Sequence, residues 1–303
     1  MKEIYTLEDL QNWDRQKSAP PIRLGVLGDP IAHSFSPRMQ NAALRVSKIK
    51  MGYAAFQIAR GELRDALQLL RQQEFVGVNL TIPHKIAALE FVDEVDENAR
   101  GAGAVNTIKI EDGKLGGFNT DGKGFARAIR EEFAVDLRDL RVLLLGAGGA
   151  ARAIALQCAK ENCERLVIAS RDLEKAKKLT EGLRLFFAGP RVLGPVPRLQ
   201  AIPWDETVFR FQIANVDLVV NATPLGLNRA DAAPIPARLL APHLMIYDTI
   251  YSSGPTAFVS AAIEAGARSA NGLSMLLHQG ALAFEIWFGR PAPLDEMRKA
   301  VTH

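Results

Sequence analysis

The sequence predicts an α/β fold in two domains, on three observations. Short β-rich runs alternate with helical patterns from Arg23 onward, the alternation starts afresh at Arg141, and a glycine-rich turn closes the first run of that second set. Alternation of this kind builds mainly parallel sheets with crossover helices. At 303 residues the chain can give each domain its own apolar core.

Residues 1–22 form an N-terminal extension. They carry a short amphipathic pattern (Leu7, Leu10, Trp13) and end in Ser18-Ala19-Pro20-Pro21, which cannot continue a helix, so the segment reads as an appendage. The first domain takes residues 23–125. Its strands are expected at 24–27, 53–58 and 76–82, with helices at 36–49 and 61–73 between them. A hairpin follows, 104–110 with 114–117, turning at Glu111-Asp112-Gly113 and giving the sheet an antiparallel edge.

A helix over 122–133 connects to the second domain, residues 126–272, with strands at 141–145, 165–169, 216–221 and 244–247. The stretch 184–203 has weak periodicity and fits either a loop or a strand. After Gly272 a helix over 273–288 and a final amphipathic one beyond Pro293 return to the first domain, so that residues 273–303 complete it.

Charge and composition narrow the function. Lys plus Arg number 37 against 34 Asp plus Glu, and they are scattered, so nucleic acid is not the expected partner. Cys158 and Cys163 are too few and wrongly spaced for a metal clip, and they read as reduced thiols. His33, His84, His243, His278 and His303 show no ligand spacing, so no metal is expected. No run approaches the roughly 20 apolar residues of a membrane helix. A soluble, cytoplasmic protein acting on a small molecule is the expectation.

Val142 to Ala151 reads as a buried strand, a Gly146-Ala147-Gly148-Gly149-Ala150-Ala151 turn and the start of an Ala-rich helix. Gly146 permits the tight turn, Gly148 lets backbone approach a pyrophosphate, and Ala151 lets helix and strand pack closely. The helix N-terminus supplies N–H groups for the phosphate charge. The next strand ends in Ser170-Arg171-Asp172, with Lys175 one turn on. Arg171 suits the 2′-phosphate of NADP, with Lys175 as a second charge. Asp172 could instead neutralise Arg171 or take the ribose of NAD, so NADP is favoured and NAD stays possible.

Polar residues also gather at strand ends of the first domain. Ser34 and Ser36 lie in a loop before Pro37, where Ser36 makes a good helix N-cap and Ser34 is left for a ligand. Thr81 and Lys85 flank Pro83 at the C-terminal end of a parallel strand, where open α/β sheets place ligands. Asn106-Thr107 and Asn119-Thr120-Asp121-Gly122 lie at the two ends of the hairpin, and Asp121 could be either a ligand-facing acid or a helix cap.

Taken together these motifs resemble the shikimate dehydrogenase family from about Arg23 to Pro293. The blocks that carry the resemblance are Gly28 to Pro37 (GDPIAHSFSP), Gly77 to Lys85 (GVNLTIPHK) with Gly101 to Thr107 (GAGAVNT), Asn119 to Gly122 (NTDG) and Gly272 to Gln279 (GLSMLLHQ), with GAGGA between them. The resemblance implies reversible reduction of 3-dehydroshikimate to shikimate by NADPH, a step of aromatic amino-acid biosynthesis. It also implies an N-terminal α/β substrate-binding domain, a C-terminal Rossmann NAD(P)-binding domain and a cleft between them.

Residue by residue, it makes Lys85 and Asp121 the catalytic pair. It gives the substrate Ser34, Ser36, Thr81, Lys85, Asn106, Asp121, Tyr251 and Gln279. The cofactor takes Gly146, Ala147, Gly148, Gly149, Ala150, Ser170, Arg171, Lys175, Thr223, Gly272 and Met275. Two positions depart from the family pattern: Ser170-Arg171-Asp172 replaces Asn-Arg-Thr, and Gly280 replaces an alanine, with little effect expected beyond helix stability. A quinate/shikimate dehydrogenase with dual cofactor use is the alternative. A non-catalytic metabolite sensor should have lost Lys85, Asp121 or the phosphate turn. A monomer and a homodimer are both compatible with the sequence.

Overall fold

Apolar runs form strands much as the alternation predicts, and the computed structural model describes them over residues 4–14, 18–188, 196–228, 230–252 and 254–302. The start of the leader, residues 189–195 of the ambiguous stretch and His303 lie outside the described residues. The chain folds as two units, Met1–Gly124 with Leu276–His303, and Phe125–Met275.

The first unit contains β1 (Ile4–Tyr5), α1 (Leu7–Gln11), β2 (Ile22–Gly28), α2 (Ser36–Val46), β3 (Gly52–Gln57), α3 (Leu63–Gln72), β4 (Gly77–Leu80), β5 (Glu94–Val95), α4 (Glu97–Ala102), β6 (Thr107–Glu111) and β7 (Lys114–Phe118). The helix α5 (Asp121–Phe133) begins here. Its sheet runs β1-β3-β2-β4-β6-β7-β5, parallel through β4 and antiparallel at β4–β6 and β6–β7. The hairpin is present with Asp112 and Gly113 at φ 50° and 72°, the left-handed pair that a two-residue turn of this kind requires. It is not the edge of the sheet, because β5 adds to β7 in parallel outside it.

The leader is no appendage. The pairing of β1 with β3 extends the sheet, Leu10 is fully buried, and Leu7 and Trp13 pack on the same core. Trp13 stacks within 5.8 Å of Tyr5, Phe56 and Phe75. The Pro-rich end of the leader stops the helix but gives no sign of where Trp13 goes, because that depends on Phe56 and Phe75, more than forty positions away. The 3-10 turn Arg60–Glu62 likewise precedes α3, where a continuous helix was expected.

The second unit contains β8 (Arg141–Leu145), α6 (Gly149–Lys160), β9 (Arg165–Ser170), α7 (Leu173–Leu183), β10 (Leu199–Pro203), α8 (Glu206–Ile213), β11 (Leu218–Asn221), β12 (Met245–Asp248), α9 (Ala257–Glu264) and β13 (Arg268–Ala270). Two further helices follow, α10 (Leu273–Phe288) and α11 (Leu294–Thr302), and α11 packs on α2. The six-stranded sheet is wholly parallel in the order β10-β9-β8-β11-β12-β13. Counted within the unit, that order is 3-2-1-4-5-6, the doubly wound dinucleotide-binding arrangement, which reverses direction between β8 and β11. Both faces of β8, β9, β11 and β12 are buried, which is why they read as unbroken apolar runs.

The ambiguous stretch resolves into a 3-10 turn at Arg184–Phe187 and the edge strand β10. Only one of its five residues is fully buried, so the strand lacks the apolar signature of its neighbours. Cys158 and Cys163 are free and buried. Among the described residues no helix is long and apolar enough to cross a membrane, and no group of three or more His, Cys, Asp or Glu is placed to hold a metal.

Candidate functional site

In the first unit, the polar residues converge at the start of α5. Lys85 donates from Nζ to Asp121 Oδ2 at 2.6 Å, with the lysine side chain 15% and the aspartate side chain 4% exposed. The other carboxylate oxygen, Oδ1, accepts from Asn106 Nδ2 at 2.8 Å. Asn106 Oδ1 accepts from the Thr120 amide at 2.9 Å and the Thr107 hydroxyl at 3.0 Å. Those donors fix which end of the Asn106 amide faces the carboxylate; turned over, its oxygen would oppose Asp121. Asn106 Nδ2 also reaches Gln279 Oε1 at 3.4 Å, bringing α10 into the cluster.

Asp121 does not serve as the cap of α5. Its own amide donates to Asn119 Oδ1 at 3.0 Å, so Asn119 takes that task and leaves the carboxylate to Lys85 and Asn106. Gly124 allows the close crossing of α5 and α10 here, since a Cβ would lie 2.8 Å from the Gln279 backbone nitrogen. Behind the cluster Asn79 donates to Thr107 Oγ1 at 3.0 Å and accepts from the Tyr53 hydroxyl at 2.8 Å.

The backbone of the 81–85 turn is pinned on both sides. The Val105 amide donates to Lys85 O at 2.7 Å, and the Asp29 amide donates to Ile82 O at 2.9 Å, tying the serine loop to the lysine turn. His84, fully buried, reaches Ile58 O from Nε2 at 2.8 Å, and as a donor there it carries its proton on Nε2. Burial holds its pKa below the usual histidine value, so the neutral ring serves as a strut. Thr81 fits because residue 28 is glycine: a Cβ there would lie 2.4 Å from Thr81 Cγ2.

Ser36 is not the cap of α2. Phe35 occupies the cap position without a side-chain bond, and the Ser36 amide donates to Ser34 Oγ at 3.3 Å, so Ser34 is the residue engaged with the backbone. At Gly280 a Cβ would meet Met39 Cε at 2.2 Å, the movable end of a flexible side chain, so an alanine there would need that methionine to shift. The structure thus joins Lys85, Asn106, Asp121 and Gln279 by hydrogen bonds and sets Thr81, Ser34 and Ser36 on the two loops tied to them. Tyr251 is carried by the second unit, in the loop after β12.

In the second unit, the glycine turn lies at the C-terminal end of β8, where the strand order reverses. Gly146 adopts φ +115°, and a Cβ there would lie 2.8 Å from Ala222 O, so both its conformation and its neighbours demand glycine. Gly148 is exposed and nothing lies within 4 Å of where its Cβ would be, so the turn opens onto free space. No side chain caps α6, which leaves the amides of its first turn for an incoming anion. An open, glycine-floored turn at an uncapped helix start therefore fits a pyrophosphate.

Around that turn, Thr223 donates from Oγ1 to Asn221 Oδ1 at 2.7 Å. Gly272 comes so close to Thr249 that a Cβ would lie 2.1 Å from its carbonyl oxygen, and the Met275 amide donates to the Tyr247 hydroxyl at 3.1 Å. At the end of β9 the Ser170 hydroxyl accepts from the Asp172 amide at 3.2 Å. Asp172 N-caps α7 through the Lys175 amide and pairs with Lys175 Nζ at 3.1 Å. Its carboxyl is held below the usual carboxylate range, chiefly by the side-chain bond from Lys175 and then by the backbone one. Lys175 is thus paired with Asp172, whereas Arg171 is exposed and, among the described residues, has no hydrogen bond or ion pair.

Sequence reasoning missed residues behind these sites: Tyr53 in the first unit, Asn221 and Asp248 in the second. Asp248 closes an apolar run whose strand was expected to end at Tyr247, and a polar residue at a buried strand end was the available signal.

Three family models match the chain: shikimate dehydrogenase substrate binding domain at residues 26–108, shikimate/quinate 5-dehydrogenase at 127–186, and shikimate 5′-dehydrogenase C-terminal domain at 272–302. The shikimate dehydrogenase (NADP(+)) of Methanopyrus kandleri is 39% identical over 92% of this chain and 94% of its own length. That of Symbiobacterium thermophilum is 42% identical over 94% and 96%. The crystal structure of the Thermus thermophilus enzyme with NADP(H) and shikimate matches with a TM-score of 0.79 at 35% identity, covering 92% of this chain and 98% of that one.

Proposed function

The chain belongs to the shikimate dehydrogenase family, and from that membership we propose how its own residues carry out the NADP-dependent, reversible reduction of 3-dehydroshikimate to shikimate, a step of aromatic amino-acid biosynthesis. NADPH, when bound, supplies the hydride. Lys85, as an ammonium, gives a proton to the oxygen of the ketone that accepts it, and in the reverse direction the neutral amine takes the hydroxyl proton. Asp121 holds the Lys85 ammonium at 2.6 Å and is itself aligned by Asn106. Asn106, Gln279, Thr81, Ser34, Ser36 and Tyr251 bind the hydroxyls and carboxylate of the substrate.

The observation that carries the reading is the buried Lys85–Asp121 contact, because a paired cation inside a cluster of uncharged hydrogen-bonding groups places a proton donor where a polar ligand would be bound. For the cofactor, the amides at the start of α6 hold the pyrophosphate and Arg171 the 2′-phosphate. Asp172, spent on the cap and on Lys175, is poorly disposed to take a ribose hydroxyl, which favours NADP over NAD. With free, buried cysteines the enzyme suits a reducing compartment, and we place it in the cytoplasm as a monomer or homodimer.

A direct test follows reduced nicotinamide by absorbance with shikimate or quinate and NADP⁺ or NAD⁺ in all four combinations. Shikimate with NADP⁺ should win clearly. Comparable rates with quinate or NAD⁺ would shift the assignment to a quinate/shikimate dehydrogenase, a reading that the shikimate/quinate model match keeps open. Silence in every combination would overturn it.

A further inference from the structure

Asp248 is fully buried at the end of β12, opposite Asn221 at the end of β11, and no basic side chain pairs with it among the described residues. A buried carboxylate without a counter-ion is costly, and burial duly pushes its pKa up. An amide or an apolar residue would fill the place at less cost. What a carboxylate offers is acceptance at both ends. Oδ1 accepts from Asn221 Nδ2 at 2.9 Å and from the Ile250 amide at 3.1 Å, while Oδ2 accepts from the Thr256 hydroxyl at 2.6 Å.

These bonds lead outward in two directions. Ile250 and Thr256 bracket Tyr251, so the carboxylate fastens both sides of that residue's loop. Asn221 turns its other end to Thr223, accepting from the Thr223 amide at 3.1 Å and its hydroxyl at 2.7 Å. Ile250 O in turn accepts from the Gly272 amide at 3.0 Å.

We propose that Asp248 is a positioning residue that sets Tyr251 for the substrate and, through Asn221, Thr223 for the cofactor. The inference rests on the reading that Tyr251 meets shikimate and Thr223 meets NADP. Asn at position 248 can keep the bonds at Oδ1 but turns an N–H toward Thr256, whose hydroxyl already accepts from the Val259 amide and must then accept again instead of donating, so Asp248→Asn disturbs the Thr256 branch while keeping the shape.

The test is steady-state kinetics on Asp248→Asn, Tyr251→Phe and the double variant, with thermal midpoints alongside. Asp248→Asn should raise KM for shikimate or for NADP⁺, or for both, by about three- to tenfold while kcat falls less than about threefold. Where the shikimate KM rises, Tyr251→Phe added to Asp248→Asn should cost less than about twofold further, because the tyrosine is already misplaced. Should Asp248→Asn not fold, Thr256→Val cuts the Oδ2 branch, together with the α9 cap that the same hydroxyl makes to the Val259 amide, and leaves the Asn221 branch intact, so it should raise the shikimate KM with little change for NADP⁺. A lower thermal midpoint with both KM values unchanged, or strictly additive losses, would overturn the positioning role. Tyr251→Phe alone leaving the shikimate KM unchanged would instead remove the Tyr251 assignment, and the proposal with it.

Discussion

Lys85 and Asp121, 36 positions apart in the chain, meet at 2.6 Å because a turn pinned by Val105 and a helix start capped by Asn119 face each other across the hairpin. Lysine to methionine at position 85 keeps the stem and removes the proton. We expect kcat to drop by about 10²- to 10⁴-fold with the shikimate dissociation constant changed far less. Calorimetric binding beside turnover measures both, and lost binding with undiminished turnover per bound complex would refute the acid–base role.

Arg171 is the exposed cation at the end of β9. Arg171→Ala should weaken NADP⁺ by about 10- to 100-fold, the worth of a charge-assisted contact, and barely touch NAD⁺. Fluorescence titration with each nucleotide decides it, since equal losses would mean that Arg171 does not read the 2′-phosphate.

Trp13 is wedged among three aromatic rings under the first sheet. Trp13→Ala should destabilise the protein by about 2–3 kcal/mol, less than a fully buried tryptophan because its side chain is half-buried. Urea unfolding reads this directly. An unchanged midpoint would mean that the leader is dispensable after all.

Asp217 accepts from the Arg141 guanidinium at 2.6 and 2.9 Å and from its amide at 2.8 Å. Burial works against the charge, but the bonds from Arg141 outweigh it and hold the carboxyl below the usual carboxylate range. With the folded pKa below the unfolded value, the stabilisation is present above about pH 4 and is lost as pH falls through the folded value. Asp217→Asn should therefore destabilise at neutral pH, by about 1 kcal/mol after screening at this half-exposed site, and the gap should close in acid. A gap independent of pH would show that the loss is one of packing.

The central strands were legible because their signal is local: β8 and β11 are apolar at nearly every position, and the glycines after β8 announce the turn. Lys85 and Asp121 could be named from their motifs, yet the bond between them is a product of the fold. Ser36 and Asp121 were both open to reading as caps, and in each case a neighbouring side chain binds the backbone instead, a choice made by loop geometry that residue type does not encode. Asp248 escaped because its one signal, a polar residue at the end of an apolar run, does not by itself distinguish a buried strand end from an exposed one. The leader escaped for the opposite reason, since short amphipathic patterns next to prolines occur equally in tails.

Among the described residues, both outer strands of the first sheet, β1 and β5, are two residues long. They offer another chain almost no backbone to pair with, whereas β3 beneath β1 is six residues long with five of them buried. Pairing with β1 therefore covers part of the outer edge of β3, a row of backbone donors and acceptors that an identical molecule would otherwise be able to pair with.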